Sequence, residues 1–226
     1  MDPRELYVIV PAYNEGPVLG EVLRELLSVY PNVVVVDDGS SDTSHAIALR
    51  SGAHVLHHTT NLGQGAALQT GLTYALDRGA RYLCTFDADG QHRVEDIATL
   101  AEALVREKAD VALGSRFLGT AERMPTAKRL TLKAAVVFTR VVGGIRITDT
   151  HNGLRVLTAE AARRLTITQT SMAHASEILH KIVKYGLKHV EVPITVRYTD
   201  WSLKKGQSLL NAVNIVFDLM VRRLLD

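Results

Sequence analysis

One cysteine, Cys84, is all the sequence holds, so no internal disulfide forms and a disulfide scaffold is excluded. A reducing compartment is the expected setting. Glycine (16) and proline (6) are too sparse for a collagen-like fibre. Charge of either sign is hardly in excess: 26 Lys and Arg face 24 Asp and Glu, a formal net charge of +2. That argues against bulk nucleic-acid binding and leaves room for a local basic face. Long apolar runs are missing too. Residues 134–138, 215–217 and 219–221 fall far short of a membrane span. Met1-Asp2-Pro3-Arg4-Glu5 carries no basic and apolar leader pattern, so no signal peptide is expected. What remains is a chain of 226 residues, 46% hydrophobic and 22% charged, the mix of a folded protein. Its length suits one α/β domain with a sizeable core over residues 1–226.

The first half alternates short β-branched runs with helical patterns. Residues 6–10 are apolar throughout, as a parallel strand covered on both faces requires. Residues 17–29 place Val18, Leu19, Val22, Leu23, Leu26 and Leu27 on one helical face. Further strands are expected at 33–36, 53–57, 82–86 and 110–113, with helices at 42–50, 64–77 and 94–108 between them. Strands and helices alternating in this way imply right-handed crossovers and an open, mostly parallel sheet with helices on both faces. The second half reads as a helix at 128–142, a strand at 153–157, a helix at 175–185, a strand at 189–195 and a last helix at 209–225.

Ligands of open α/β sheets sit beyond the carboxyl ends of the strands. The polar motifs gather there. Pro11-Ala12-Tyr13-Asn14-Glu15 follows the first strand and Asp37-Asp38-Gly39-Ser40 the second. Asn61-Leu62-Gly63-Gln64-Gly65 lies past the third, Asp87-Ala88-Asp89-Gly90-Gln91-His92 past the fourth and Gly114-Ser115-Arg116 past the fifth.

Asp87 and Asp89 stand two apart, so in extended backbone they share one side. Neighbouring carboxylates repel unless a cation lies between them, and oxygen-rich sites of this kind suit Mg²⁺ or Mn²⁺. Gln91 can add a ligand. Asp38 can accept hydrogen bonds from a ribose or a base, while Asp42 is read as a helix cap. Gly63-Gln64-Gly65 lacks the third glycine of a dinucleotide fingerprint and is read as a tight loop opening a helix. Arg116, Arg129, Arg155, Arg197, Lys204 and Lys205 are the candidates for anionic partners, because guanidinium forks recognise phosphate. Arg123 and Lys128 are read as surface charge. The 128–142 and 209–225 helices are apolar with basic ends, which suits either core packing or a membrane surface.

Together, Val8-Ile9-Val10-Pro11-Ala12-Tyr13-Asn14-Glu15, Val36-Asp37-Asp38-Gly39-Ser40 and Asp87-Ala88-Asp89-Gly90-Gln91 resemble family 2 glycosyltransferases of the GT-A fold, the nucleotide-diphospho-sugar transferase type. The likeness is nearest to polyprenyl- and dolichyl-phosphate hexosyltransferases, the dolichyl-phosphate mannose synthase type. It extends to Asn61 to Ala67, Gly114-Ser115-Arg116-Phe117, Asp149 to Arg155 and Glu191-Val192-Pro193-Ile194. This resemblance implies a nucleotide-sugar donor (UDP- or GDP-linked) across residues 1–115 and an acceptor half at 116–226. Pro11, Tyr13, Glu15 and Asp38 would meet base and ribose. Asp87, Asp89 and Gln91 would hold the metal, with Asp89 and Arg116 catalytic. Arg129, Arg155, Arg197, Lys205 and Ser208 would face acceptor or donor phosphate.

A lipid phosphate acceptor needs no strong base, whereas a hydroxyl acceptor does, and Glu177 is the candidate for that role. Single displacement implies inversion at the anomeric carbon. The expected setting is cytoplasmic, peripheral on the inner face of the cell membrane. A small membrane-protein partner and a homo-oligomer remain open. The rival readings are transfer to a saccharide hydroxyl, a phosphatase of the haloacid dehalogenase type (suggested by Asp-Ala-Asp-Gly), and a silent binding subunit.

Overall fold

The computed structural model describes residues 1–171 and 173–205. Ser208 and the helix expected at 209–225 lie outside the described residues. A short 3₁₀ turn at Pro3–Glu5, capped by the Asp2 carboxylate, leads into β1 (Leu6–Ala12). Then come α1 (Gly16–Val29), β2 (Val33–Asp37), α2 (Ser44–Ser51), β3 (His54–His57), α3 (Gln64–Asp77), β4 (Tyr82–Thr85) and α4 (Val94–Arg106). The second half runs β5 (Val111–Glu122), α5 (Thr126–Gly143), β6 (Arg155–Thr158), α6 (Ala159–Arg164), α7 (His174–Lys184), β7 (His189–Arg197) and α8 (Asp200–Lys205).

The strands form a 7-stranded sheet in the order β3-β2-β1-β4-β6-β5-β7. Every pairing is parallel except those of β6, which runs antiparallel to both β4 and β5. Pleating sorts β1 cleanly. Val8 and Val10 pack with Leu19, Leu23 and Leu26 of α1 and Ile97 and Leu100 of α4, while Ile9 joins Leu68 and Leu72 of α3 and Ile178 of α7 on the other face. These side chains are wholly or almost wholly buried, and each contributes about 1.5–3 kcal/mol on leaving water.

The strand assignments made from apolar runs stand, and α3 has the expected bounds. Three features differ. The fifth strand continues well past 113, because after a register shift at Ser115/Thr120 it pairs again with β7. The strand expected at 153–157 begins at Arg155 and runs against its neighbours. Short helices α6 and α8 were not anticipated, since six residues are too few to show a helical period.

This topology fixes where ligands can go. After β1 the chain builds outward to β2 and β3, then returns to place β4 on the opposite side of β1. The crevice of such a sheet opens at that switch point, between the carboxyl ends of β1 and β4. Because β6 is reversed, its first residue, Arg155, lies at the same edge, paired in register with Thr85 and Leu113.

Candidate active site

Two strand-end loops are laced together at the crevice. Asn14 sits in the left-handed region, with φ 53°, which asparagine tolerates better than most residues. Its N–H donates to Ser40 Oγ (3.0 Å), and its Oδ1 accepts the Ser41 N–H (2.9 Å). The Glu15 N–H donates to Ser44 Oγ at 2.8 Å. Asp42 caps as expected and does more. It accepts the Ser44 N–H (2.9 Å) at the start of α2 and the Gly16 N–H (3.0 Å) at the start of α1, setting one negative charge at two helix N-termini.

Asp38, which the sequence reading offers to a ribose or base, already has partners within the protein. It is buried, its Oδ1 meets His58 Nδ1 (2.7 Å) and the Leu62 N–H (3.0 Å), and its Oδ2 accepts the Gly63 N–H (2.7 Å). The amides of the 58–63 loop need an acceptor, and Asp38 is it. Gly63-Gln64-Gly65 is the tight helix-opening loop that its sequence suggested. A Cβ on Gly65 would lie 1.9 Å from the Gln169 carbonyl oxygen, so only glycine lets the 169–171 segment pass this close.

Asp87 leaves β4 at the centre of the edge. Gln64 Nε2 donates to its Oδ1 (3.0 Å), and His92 Nε2 lies 3.2 Å from its Oδ2. Gly153 makes room for it, since a Cβ there would fall 2.0 Å from Oδ2. Burial pushes the Asp87 carboxyl up, but His92 and the nearby charge of Arg155 outweigh it and hold the group below its ordinary value. Asp89 behaves oppositely. Burial, with the charge of Asp87 added, pushes its carboxyl up to about 6. Gln91 turns back onto Asp89, donating its backbone N–H (3.0 Å) and its side-chain Nε2 (2.7 Å). Two half-buried carboxylates thus lie close enough for the charge of one to raise the other.

The cations fall into two kinds. Arg116 is buried and internally engaged: Nε meets Asp149 Oδ2 (2.6 Å), Nη1 meets the Tyr198 hydroxyl (2.7 Å), and Nη2 meets the His151 carbonyl (2.7 Å). Arg116, expected from sequence to be catalytic, braces β5 to the 149–151 loop. Arg155 is the contrary case. It is buried, and its Nη1 has no hydrogen-bond partner among the described residues. Asn152 Nδ2, nearby in the chain, is equally unpartnered. Two buried donors without acceptors suit an anion. Lys128, read from sequence as surface charge, instead places its Nζ 4.6 Å from the Tyr198 ring centre, and burial with the nearby Arg116 charge lowers its pKa. Lysine position alone carries no signal of this.

Other expected residues divide similarly. Glu177 is not a poised base. Its carboxylate accepts from the Thr168 N–H (3.0 Å), Thr168 Oγ1 (2.5 Å), the Gln169 N–H (2.8 Å) and Lys181 Nζ (2.7 Å). Burial pushes it up, but these donors outweigh burial and hold it below the usual carboxylate range. Pro11 is buried inside β1, opposite Val36, while Tyr13 is exposed at the strand's end. Glu15 is buried and accepts from Trp201 Nε1 at 2.8 Å, which ties α8 to the β1–α1 loop. Arg129 is exposed on the first turns of α5. Arg197 pairs with Glu122 (3.3 Å) on the surface, and its N–H donates to the Gln91 carbonyl (2.9 Å). Lys205 ends α8.

Sequence reading missed His174, which is buried and held neutral. Burial, then the charge of Arg155, lowers its pKa to about 4. It also missed Tyr198 and Trp201, whose partners lie far away in the chain.

Known proteins resemble this chain over nearly its whole length. The chain is 30% identical over 246 residues to the UDP-N-acetylglucosamine--dolichyl-phosphate N-acetylglucosaminyltransferase of Methanococcus voltae, covering 99% of this chain and 98% of that protein. It is 31% identical to the polyprenol monophosphomannose synthase of Mycolicibacterium smegmatis, covering 97% and 88%. The solved structure of glucosyl-3-phosphoglycerate synthase from Mycobacterium tuberculosis, in complex with Mg²⁺ and UDP, superposes with a TM-score of 0.73 at 16% identity over 97% of this chain and 79% of that one. The fold is thus that of the GT-A enzymes. Residues 7–166 match Glycosyl transferase family 2, and the chain belongs to that family.

Proposed function

We propose that the chain transfers a hexose from a UDP- or GDP-linked donor to a polyprenyl phosphate, in a single inverting displacement assisted by Mg²⁺ or Mn²⁺. One observation carries the reading. Asp87 lies in the field of Arg155, whose buried Nη1 has no hydrogen-bond partner among the described residues, and the charge of Asp87 in turn helps to lift the carboxyl of Asp89. The lifted Asp89 value fits a cation site, because a divalent ion would offset both the burial and the Asp87 charge that raise it. Asp87, Asp89 and, after rotation of its amide, Gln91 would hold the ion. Its chemistry is to neutralise the charge that builds on a departing diphosphate.

This chain's residues do the rest. The donor would lie over residues 1–115, with Tyr13 and Glu15 at the nucleoside end and the Asp38-braced 58–63 loop forming the wall. Arg155 and Asn152 offer buried donors for the diphosphate, where charge–dipole stabilisation is strongest. The acceptor phosphate would approach from residues 116–226, past Lys128, Arg129 and Arg197. A phosphate is already anionic and needs no base, which agrees with a Glu177 whose lone pairs are spent. The relatives named for dolichyl phosphate and polyprenol support a lipid acceptor.

Peripheral attachment to a membrane surface has its own support. No helix of the described residues is long and apolar enough to cross a membrane. Yet α5 starts beside Lys128 and exposes Leu130, Val137 and Val141, spaced along one face, with Arg129, Lys133 and Arg140 at its flank.

The test supplies labelled UDP- and GDP-sugars with Mn²⁺ and a short polyprenyl phosphate. Label should pass into the organic phase in a mild-acid-labile lipid. Label found only in water-soluble saccharide would assign a hydroxyl acceptor instead.

A further inference from the structure

A second cluster of metal-ligating side chains lies at the carboxyl end of β2. Asp37, wholly buried, closes that strand. His57 ends β3, the neighbouring strand in register with it, and His45 lies in the first turn of α2. His57 Nδ1 is 2.9 Å from Asp37 Oδ2, and His45 Nδ1 is 3.0 Å from the same oxygen. The two rings stand 4.4 Å apart, tilted by 52°.

The His45 contact is the informative one. Its Nδ1 is buried and makes no hydrogen bond, although a carboxylate oxygen stands only 3.0 Å away. The nitrogen is off the line that an N–H···O bond requires. A buried ring nitrogen pressed against an anionic oxygen without a proton between them is unfavourable, unless a cation fills the gap. All three ligand atoms lie within 4.8 Å of one another. In a tetrahedral zinc site, bonds of about 2.0–2.2 Å place ligand atoms roughly 3.3 Å apart, so a few tenths of an ångström of expansion admits an ion.

We propose that Asp37, His45 and His57 form a site for a borderline transition-metal ion, Zn²⁺ by chemistry, separate from the carboxylates at Asp87 and Asp89. Two imidazoles and one carboxylate suit Zn²⁺ far better than Mg²⁺, which prefers oxygen donors throughout. The two histidine side chains are 37% and 43% exposed, so solvent can supply the fourth ligand and the ion has a way in. The other Asp37 oxygen accepts the Ser40 N–H at 3.2 Å, and Ser40 Oγ in turn accepts the Asn14 N–H. The bound ion therefore clamps β2, β3 and α2 together and stiffens the loop pair that walls the crevice. Its role is structural and stands whether or not the glycosyl-transfer reading does.

Zn²⁺ titration by calorimetry, and Co²⁺ titration followed by visible absorption, test this on the metal-free protein. The arms are wild type, His45→Gln, His57→Gln and Asp89→Asn, with folding checked by circular dichroism. Wild type and Asp89→Asn should share one saturable site of the same affinity, with the intense visible bands of tetrahedral Co²⁺ and a melting point raised by Zn²⁺. Both histidine variants should bind tenfold or more weakly, since even partners outside the ligand set act on that scale. Absence of saturable Zn²⁺ binding, or an affinity equal to that of wild type in both histidine variants, overturns the site. So does loss of binding in Asp89→Asn alone, which would place the ion in the crevice.

Discussion

Arg116 Nε lies 2.6 Å from Asp149 Oδ2, a buried ion pair that joins the middle of β5 to a loop 33 residues further on. Removing one partner leaves the other charge buried and uncompensated, which typically costs about 3–5 kcal/mol. Asp149→Ala should therefore lower unfolding stability by that amount in urea titrations. A loss below about 1 kcal/mol would mean that water reaches the pair and that Arg116 is free for other work.

Glu177→Gln separates a staple from a base. Each Glu177 oxygen already receives donors from the 168–169 backbone, Thr168 or Lys181. The variant should lose about 1–3 kcal/mol of stability, the scale of a disturbed charge-assisted network. Its turnover should stay within a few-fold of wild type. A general base would instead cost 10²–10⁴-fold, on the scale usual for proton transfer.

The helices and the parallel strands were legible because burial on both faces writes an unbroken apolar run, as in Val33 to Val36, and burial on one face writes a helical period. The reversal of β6 was not legible. Arg155-Val156-Leu157-Thr158 reads the same in either direction, and only its pairing with β4 and β5 sets the sense. The same divide runs through the site. Asp87 and Asp89 were found because they follow a strand. Arg116, Asp38 and Glu177 were also found, but not the partners that the fold brings to them. Sequence locates a charged group at the edge. It does not count the donors and acceptors that distant segments bring to it, such as Asp149 for Arg116 or the 62–63 amides for Asp38.

His174 predicts a pH dependence. Its native pKa is lowered to about 4 from the ordinary 6.5 by burial and by Arg155. Between those values the unfolded chain takes up a proton that the native chain refuses, so the native state loses stability as pH falls through the window. The cost reaches on the order of 3 kcal/mol near pH 4. Other carboxyls titrate in the same range, so the difference between wild type and His174→Gln isolates the effect. Wild type should fall relative to the variant from pH 6.5 downward. Parallel curves would show that His174 is protonated in the native protein.

The central claim is that Asp87 and Asp89 bind a divalent ion which in turn binds a nucleoside diphosphate. Calorimetric titration of UDP and GDP into wild type and Asp89→Asn, each with Mn²⁺ and with a chelator, tests it most directly. The account predicts that one of the two nucleotides binds wild type with Mn²⁺ and binds tenfold or more weakly once the metal is chelated or Asp89 is replaced. Equal nucleotide affinity in all four conditions would contradict it.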